Sequence, residues 1–219
     1  IGPSTIHPVV SNIGGITGVY DISASHVLVE GVFSNTQNVS PYRGAGRPEA
    51  TYIIERMIDI AAEKMGFDKV ELRRRNMIRP EQMPFKTGLV FTYDSGDFPG
   101  LLDTALSAAN WAEFDDRRMA SKLRGRIRGF GIANPIEIAG GPERQPHSEF
   151  ARVTVSPDGS VVLVSGSSDS GQGHATVFAQ ILSSKLGVDP AAVSLIAGDT
   201  REAPNGTGTF GSRTVAAAG

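Results

Sequence analysis

Cysteine does not occur in the 219 residues, so the chain can hold no disulfide, no thiolate zinc site and no cysteine-ligated iron–sulfur cluster. Long apolar runs are missing too: no stretch approaches the roughly 18 uninterrupted apolar residues of a membrane span. Neither charge sign is in excess. The 21 Lys and Arg stand against 23 Asp and Glu, for a net charge of −2, which removes the electrostatic basis of bulk nucleic-acid binding. The four histidines, His7, His26, His147 and His174, show no HExxH spacing, so a protein-ligated zinc is not expected. The single tryptophan, Trp111, reads as a packing residue, and Arg73, Arg74 and Arg75 read as a solvated helix face. The chain opens at Ile1 without the charged start and apolar run of a secretory signal. A cytoplasmic piece of a longer protein, interior at both ends, is the expectation.

Glycine is what the sequence has in abundance. It supplies 26 of 219 residues, about 12%, against roughly 7% in ordinary proteins, and much of the excess is clustered. Between the clusters the patterning is mixed. Residues 22–33 and 127–138 alternate as strands do, and 148–155 and 160–165 predict a hairpin about the turn signal Pro157-Asp158-Gly159. Residues 48–65 predict a helix, with Pro48 in its first turn, Gly66 as its stop, and Ile54, Met57, Ile58, Ala61 and Met65 on one face. Asp68 and Glu71 then predict a capped short helix through Asn76. Helical spacing returns over 98–119 and 176–186, and 193–196 predicts a further strand. The fold class is α+β.

Three of the glycine clusters precede predicted helices: residues 42–49, with Tyr42, Arg43, Gly44, Ala45 and Gly46; residues 170–176, with Gly171, Gln172, Gly173, His174, Ala175 and Thr176; and residues 205–213, with Thr207, Gly208, Thr209, Gly211 and Ser212. Glycine lets backbone amides approach a ligand, and first-turn amides have no partner inside the helix, so each cluster is a candidate anion site. One such cluster is more often only a turn; three in one chain strengthen the ligand reading. None fits a nucleotide fingerprint. Residues 205–212 lack the Lys-Ser/Thr end of a Walker loop, and Gly44-Ala45-Gly46 lacks the dinucleotide spacing.

The strings PYRGAGRPEATYIIERMIDIAAEKMGFDKVELRRRNMI, GQGHATVFAQI and GTGTFGSR, in that order, resemble the large molybdenum subunit of the xanthine dehydrogenase and aldehyde oxidase family, in its carbon monoxide dehydrogenase-like branch. The resemblance implies a molybdopterin-binding fold of two subdomains with mixed or antiparallel sheets and flanking helices. Residues 1–80 would belong to the first, 81–97 would be a linker, and 98–219 would belong to the second. It implies a molybdopterin cytosine dinucleotide that carries molybdenum through its dithiolene, so no residue of the chain ligates the metal directly. Tyr42, Gly44, Ala45 and Gly46 would line the metal centre, and Arg43 would orient substrate. Residues 171–176 and 207–212 would hold the cofactor, with Gln172 near the metal and Thr209, Ser212 and backbone amides as donors.

The reaction implied is hydroxylation of an aldehyde or N-heterocycle with water as oxygen donor. The partners implied are an iron–sulfur small subunit and an FAD-binding medium subunit, assembled as a dimer of heterotrimers. The family's general-base glutamate, in a Gly-Glu motif, and its Gly-Gly-x-Phe-Gly segment have no match here, so the 219 residues alone are expected to be inactive. Carbon monoxide oxidation is not expected either, because in the true carbon monoxide enzymes a cysteine after the Tyr-Arg pair holds copper. The alternative is a non-catalytic paralogue or phosphate-binding module that has lost the metal centre.

Overall fold

The computed structural model describes residues 13–140, 148–206 and 208–219; His7, His147 and Thr207 lie outside them. The chain divides into two compact units, Ile1–Glu137 and Ile138–Gly219.

In the first unit, helix α1 (Arg47–Met65) starts at Gly46 (φ 101°) and stops at Gly66 (φ 72°), both in the left-handed region that glycine tolerates. Helix α2 (Lys69–Asn76) is capped by Asp68, whose Oδ1 accepts from the amides of Val70 at 2.9 Å and Glu71 at 2.8 Å. The core cluster is Val19, Tyr20, Val70, Met77 and Leu102, with Ile54, Ile58 and Trp111 packed against it.

Charge enters this core where composition placed it outside. Arg73 is wholly buried: its Nε donates to Glu55 Oε2 at 2.8 Å, its Nη1 lies 3.0 Å from Asp59 Oδ1, and Tyr20 Oη donates to Glu55 Oε1 at 2.6 Å. The solvated-face reading is therefore corrected for Arg73. Arg74 pairs with Asp103 and Arg75 with Glu71 nearer the surface. The inward side of α1 buries Ala50, Glu55 and Ala62 beside the half-buried Ile54 and Ile58, and Met57 and Met65 are exposed.

In residues 81–97 strands β1 (Phe85–Lys86) and β2 (Thr92–Tyr93) pair antiparallel, and the buried Tyr93 donates from Oη to Gly18 O at 2.7 Å. Two further expectations change. The helix expected over 98–119 breaks into α3 (Phe98–Ala108) and α4 (Phe114–Leu123), because Asn110 adopts φ 47° and Trp111 turns to pack on Phe114 and Phe130. Residues 22–33 and 127–138 form no strand. A period-2 pattern specifies a pleat, but a ladder also needs a neighbour.

The second unit is a three-stranded sheet in the order β3–β4–β5, with β3 Ala151–Val155, β4 Val161–Ser165 and β5 Val193–Ala197. The hairpin forms as expected: β3 and β4 run antiparallel, and Asp158 Oδ1 accepts from the amide (3.0 Å) and hydroxyl (2.8 Å) of Ser160 across the turn. Helix α5 (His174–Leu186) carries the chain over to β5, which runs parallel to β4. Helix α6 (Thr214–Ala218) closes the chain. With Ser165 in register with Ala197, the loops after β4 and β5 leave the same edge of the sheet. Ligands of open α/β sheets gather at such carboxyl ends.

Candidate functional site

The loop ahead of α1 is a left-handed turn. Gly44, Ala45 and Gly46 have φ of 95°, 48° and 101°, and the Ala45 amide bonds Tyr42 O at 2.6 Å. A Cβ at Gly44 would lie 2.6 Å from the Pro48 ring, so glycine is required there sterically as well as conformationally. The turn holds Tyr42 and Arg43 out of the protein, both exposed. Arg47, by contrast, is committed to Glu137 at 2.8 Å. Arg43 is thus the outward cation of this loop, presented on a backbone shape fixed by two glycines.

In the second unit the chain after β4 and the chain after β5 meet backbone to backbone. A Cβ on Gly166 would stand 2.5 Å from Asn205 O, and one on Gly206 would stand 2.3 Å from Gly166 O. Next to this crossing Thr209 Oγ1 accepts from Ser168 N at 3.1 Å and donates to Ser168 O. The stretch just ahead of the 171–176 cluster is therefore tied to the third cluster, and the Thr209 hydroxyl is spent on holding it there.

The amides at the start of α5 are partly spent as well. Asp169 Oδ1 accepts from Gly171 N and Gln172 N, both at 2.8 Å, and Oδ2 accepts from His174 N at 3.0 Å. Desolvation pushes the Asp169 pKa up, but these donors outweigh it and hold the carboxyl below the usual aspartate range. An anion expected on the amides of Gly171, Gln172 and His174 thus meets a carboxylate already seated there. Among the described residues the amides of Ala175 and Thr176 have no acceptor. Nothing stands within 4 Å of a Cβ placed on Gly171 or Gly173, so that flank of the loop is open. His174 itself is buried, and its Nδ1 has no hydrogen-bond partner, a costly state that a ligand hydrogen bond would relieve.

Arg213 is the residue that motif reading passed over. It ends the third cluster, is almost wholly buried, and pairs with Glu149, whose side chain is fully buried, at 3.3 Å. Its Nη1 donates to Ser148 O at 3.1 Å and its Nη2 to Gly208 O at 2.9 Å, while its guanidinium lies 4.2 Å from the Phe210 ring centre. It therefore organises the loop from inside. The available signal was its position, a lone cation between a glycine run and a helix start; Asp169, an acid just ahead of a glycine-rich helix start, carried a similar one. Ser212, at φ 51°, is exposed, and its carbonyl accepts from Gly140 N at 3.1 Å. Among the described residues no group of three or more His, Asp or Glu could hold a metal ion, and no helix is long and apolar enough to cross a membrane.

Residues 2–77 and 104–219 each match the molybdopterin cofactor-binding domain. The chain is 36% identical over 215 residues to the carbon monoxide dehydrogenase large chain of Hydrogenophaga pseudoflava, with 93% of this chain and 27% of that one covered. It is 35% identical to the 6-hydroxypseudooxynicotine dehydrogenase complex subunit gamma of Paenarthrobacter nicotinovorans, with 97% and 27% covered. The reconstituted carbon monoxide dehydrogenase of Oligotropha carboxidovorans superposes with a TM-score of 0.79 at 33% identity, over 94% of this chain and 28% of that one. The chain spans about a quarter of the length of the curated relatives it matches.

Proposed function

Because the chain belongs to the molybdopterin cofactor-binding family of molybdenum hydroxylase large subunits, we propose that it serves as the central part of such a subunit in oxidative hydroxylation of an aldehyde or N-heterocycle with water as oxygen donor. The observation that carries this reading is the meeting of the loops after β4 and β5, the first of which runs on through Asp169 to a buried His174 whose Nδ1 lacks a partner. It supports a site for an extended polar ligand.

The residues fit molybdopterin cytosine dinucleotide along this edge. Gly171 and Gly173 leave room for it, His174 Nδ1 and the amides of Ala175 and Thr176 can bond it, and Ser212 is exposed in the third cluster. When bound, the molybdenum centre supplies the redox and oxygen-transfer chemistry. The protein's part here is placement. Asp169, beside the open amides, disfavours a phosphate on the turn it already caps and directs one toward Ala175 and Thr176. In the first unit Arg43 is free to orient a carbonyl or carboxylate of substrate through its planar fork. Residues 1–80 and 98–219 are read as parts of two cofactor-binding subdomains with 81–97 between them. An iron–sulfur small subunit and an FAD-binding medium subunit, in a cytoplasmic dimer of heterotrimers, would carry the electrons away, in keeping with a chain that has no cysteine to hold a cluster.

The test is the molybdenum and cytidine nucleotide content of the natural polypeptide that carries this chain, purified with its partners. One of each per subunit is expected. A protein without molybdenum when produced in its native host would overturn the proposal in favour of a non-catalytic paralogue.

A further inference from the structure

A backbone amide attacks the side chain of a preceding asparagine with least hindrance when that amide belongs to glycine, which puts no Cβ beside the nucleophilic nitrogen. Of the seven asparagines only Asn205 precedes glycine. In the second unit this pair lies in the chain after β5, and both residues are exposed. Among the described residues the Gly206 amide has no acceptor and the Asn205 side chain makes no hydrogen bond. Nucleophile and electrophile are thus neighbours in the chain, and neither is engaged.

Asp158-Gly159, the one Asp-Gly pair of the sequence, shows what protection looks like. The Gly159 amide donates to Ser156 O at 2.9 Å, and Asp158 Oδ1 accepts from the Ser160 amide at 3.0 Å and hydroxyl at 2.8 Å. A bonded amide does not present its nitrogen, and an ionised carboxylate is a poor electrophile. The asparagines at 76 and 134 are protected in other ways: Asn76 Nδ2 donates to Leu72 O at 2.8 Å, and Asn134 precedes Pro135, which has no N–H.

We infer that Asn205 and Gly206 form a self-modification site, at which the Gly206 nitrogen closes on Asn205 Cγ and the hydrolysed product parts the crossing with Gly166. The amide proton goes to solvent, the N–Cγ bond forms, and the Cγ–Nδ2 bond breaks with loss of ammonia. Water then opens the succinimide. Addition at Cγ gives aspartate; addition at the former main-chain carbonyl breaks its bond to the Gly206 nitrogen and gives isoaspartate. The balance is asparagine plus water to aspartate or isoaspartate plus ammonia, without oxidant or reductant. Isoaspartate lengthens the main chain by one carbon where space is already used up, since a Cβ on Gly206 would stand 2.3 Å from Gly166 O and 2.5 Å from Gly166 Cα. Both products also place a carboxylate on the loop that would border the cofactor, a consequence that rests on the proposed function.

The test ages the natural polypeptide, purified with its partners, in heavy-oxygen water and maps its peptides by mass spectrometry. Asn205 should take up heavy oxygen at least about tenfold faster than any other asparagine of residues 1–219, as an unhindered intramolecular attack does, while Asp158 takes up none. In the isoaspartate fraction, identified by an isoaspartyl methyltransferase, the amides of Ser168 and Gly208, which bond across the crossing, should exchange at least about tenfold faster than in fresh protein. Asn205→Gln, whose longer side chain closes a larger and slower ring, should abolish uptake at that position and leave the molybdenum content of fresh protein unchanged. Uptake at Asn205 no faster than at the other asparagines overturns the inference, as does unchanged exchange in the isoaspartate fraction. Molybdenum measured in the same samples separates the two claims. Normal molybdenum without uptake removes only the modification site, and uptake in a protein that never held molybdenum removes only the proposed function.

Discussion

Arg73 and Glu55, eighteen positions apart, meet at 2.8 Å with almost no exposure of either side chain. Each is the condition for burying the other. Arg73→Met leaves the Glu55 carboxylate buried without its cation, and breaking such a pair costs about 3–5 kcal/mol. The urea midpoint of Arg73→Met should fall accordingly. The double variant Glu55→Leu with Arg73→Met should recover part of that loss, because the buried Glu55 charge goes with its cation and Asp59, the other partner of Arg73, keeps Lys69 at 3.6 Å. Full additivity of the two single losses would show that the pair is not coupled.

The Asp169 carboxylate caps the start of α5, and its pKa lies below the ordinary aspartate value of 3.8. The stabilisation is therefore complete above that value and is lost as pH falls through the lower, folded one. The amide resonances of Gly171, Gln172 and His174 should shift together in one acid titration with a midpoint under 3.8, and Asp169→Asn should remove the transition. A midpoint at or above the ordinary value would contradict the capping role.

Gly206 permits the close backbone crossing with Gly166, so a methyl group there must push the loops apart. Gly206→Ala should cost about 1–3 kcal/mol of overpacking strain and lower molybdopterin content several-fold. Gly129→Ala, where nothing lies within 4 Å of the added Cβ, should leave it unchanged. Equal cofactor content in the two variants would argue against the crossing as the support of the site.

Copper has no soft ligand in the loop at 42–47, where the sequence reads Tyr-Arg-Gly-Ala-Gly-Arg and the chain contains no cysteine. The complete complex should therefore oxidise aldehydes or purine-like heterocycles and turn over carbon monoxide poorly. Arg43→Ala should reduce kcat/KM for the preferred substrate by about ten- to a hundredfold, as loss of a charge-assisted contact does, with cofactor content retained. Fast carbon monoxide oxidation with stoichiometric copper would sink this reading.

What the sequence determined alone was what a few neighbouring residues can satisfy. The α1 stop at Gly66, the Asp68 cap, the Pro157-Asp158-Gly159 hairpin and the glycine positions that admit left-handed turns all follow from groups within one turn of one another. The ordered motifs likewise carried the family, because loop chemistry is written locally. Tertiary structure decided the rest. Whether Arg73 faces water depends on a carboxylate on another helix, whether Thr209 is a free donor depends on Ser168, and whether Asp169 leaves amides open depends on how its loop closes. The strand pattern at 22–33 shows the limit most directly: alternation shapes the backbone, but hydrogen bonds across a sheet come from residues distant in sequence, so local pattern cannot supply the partner.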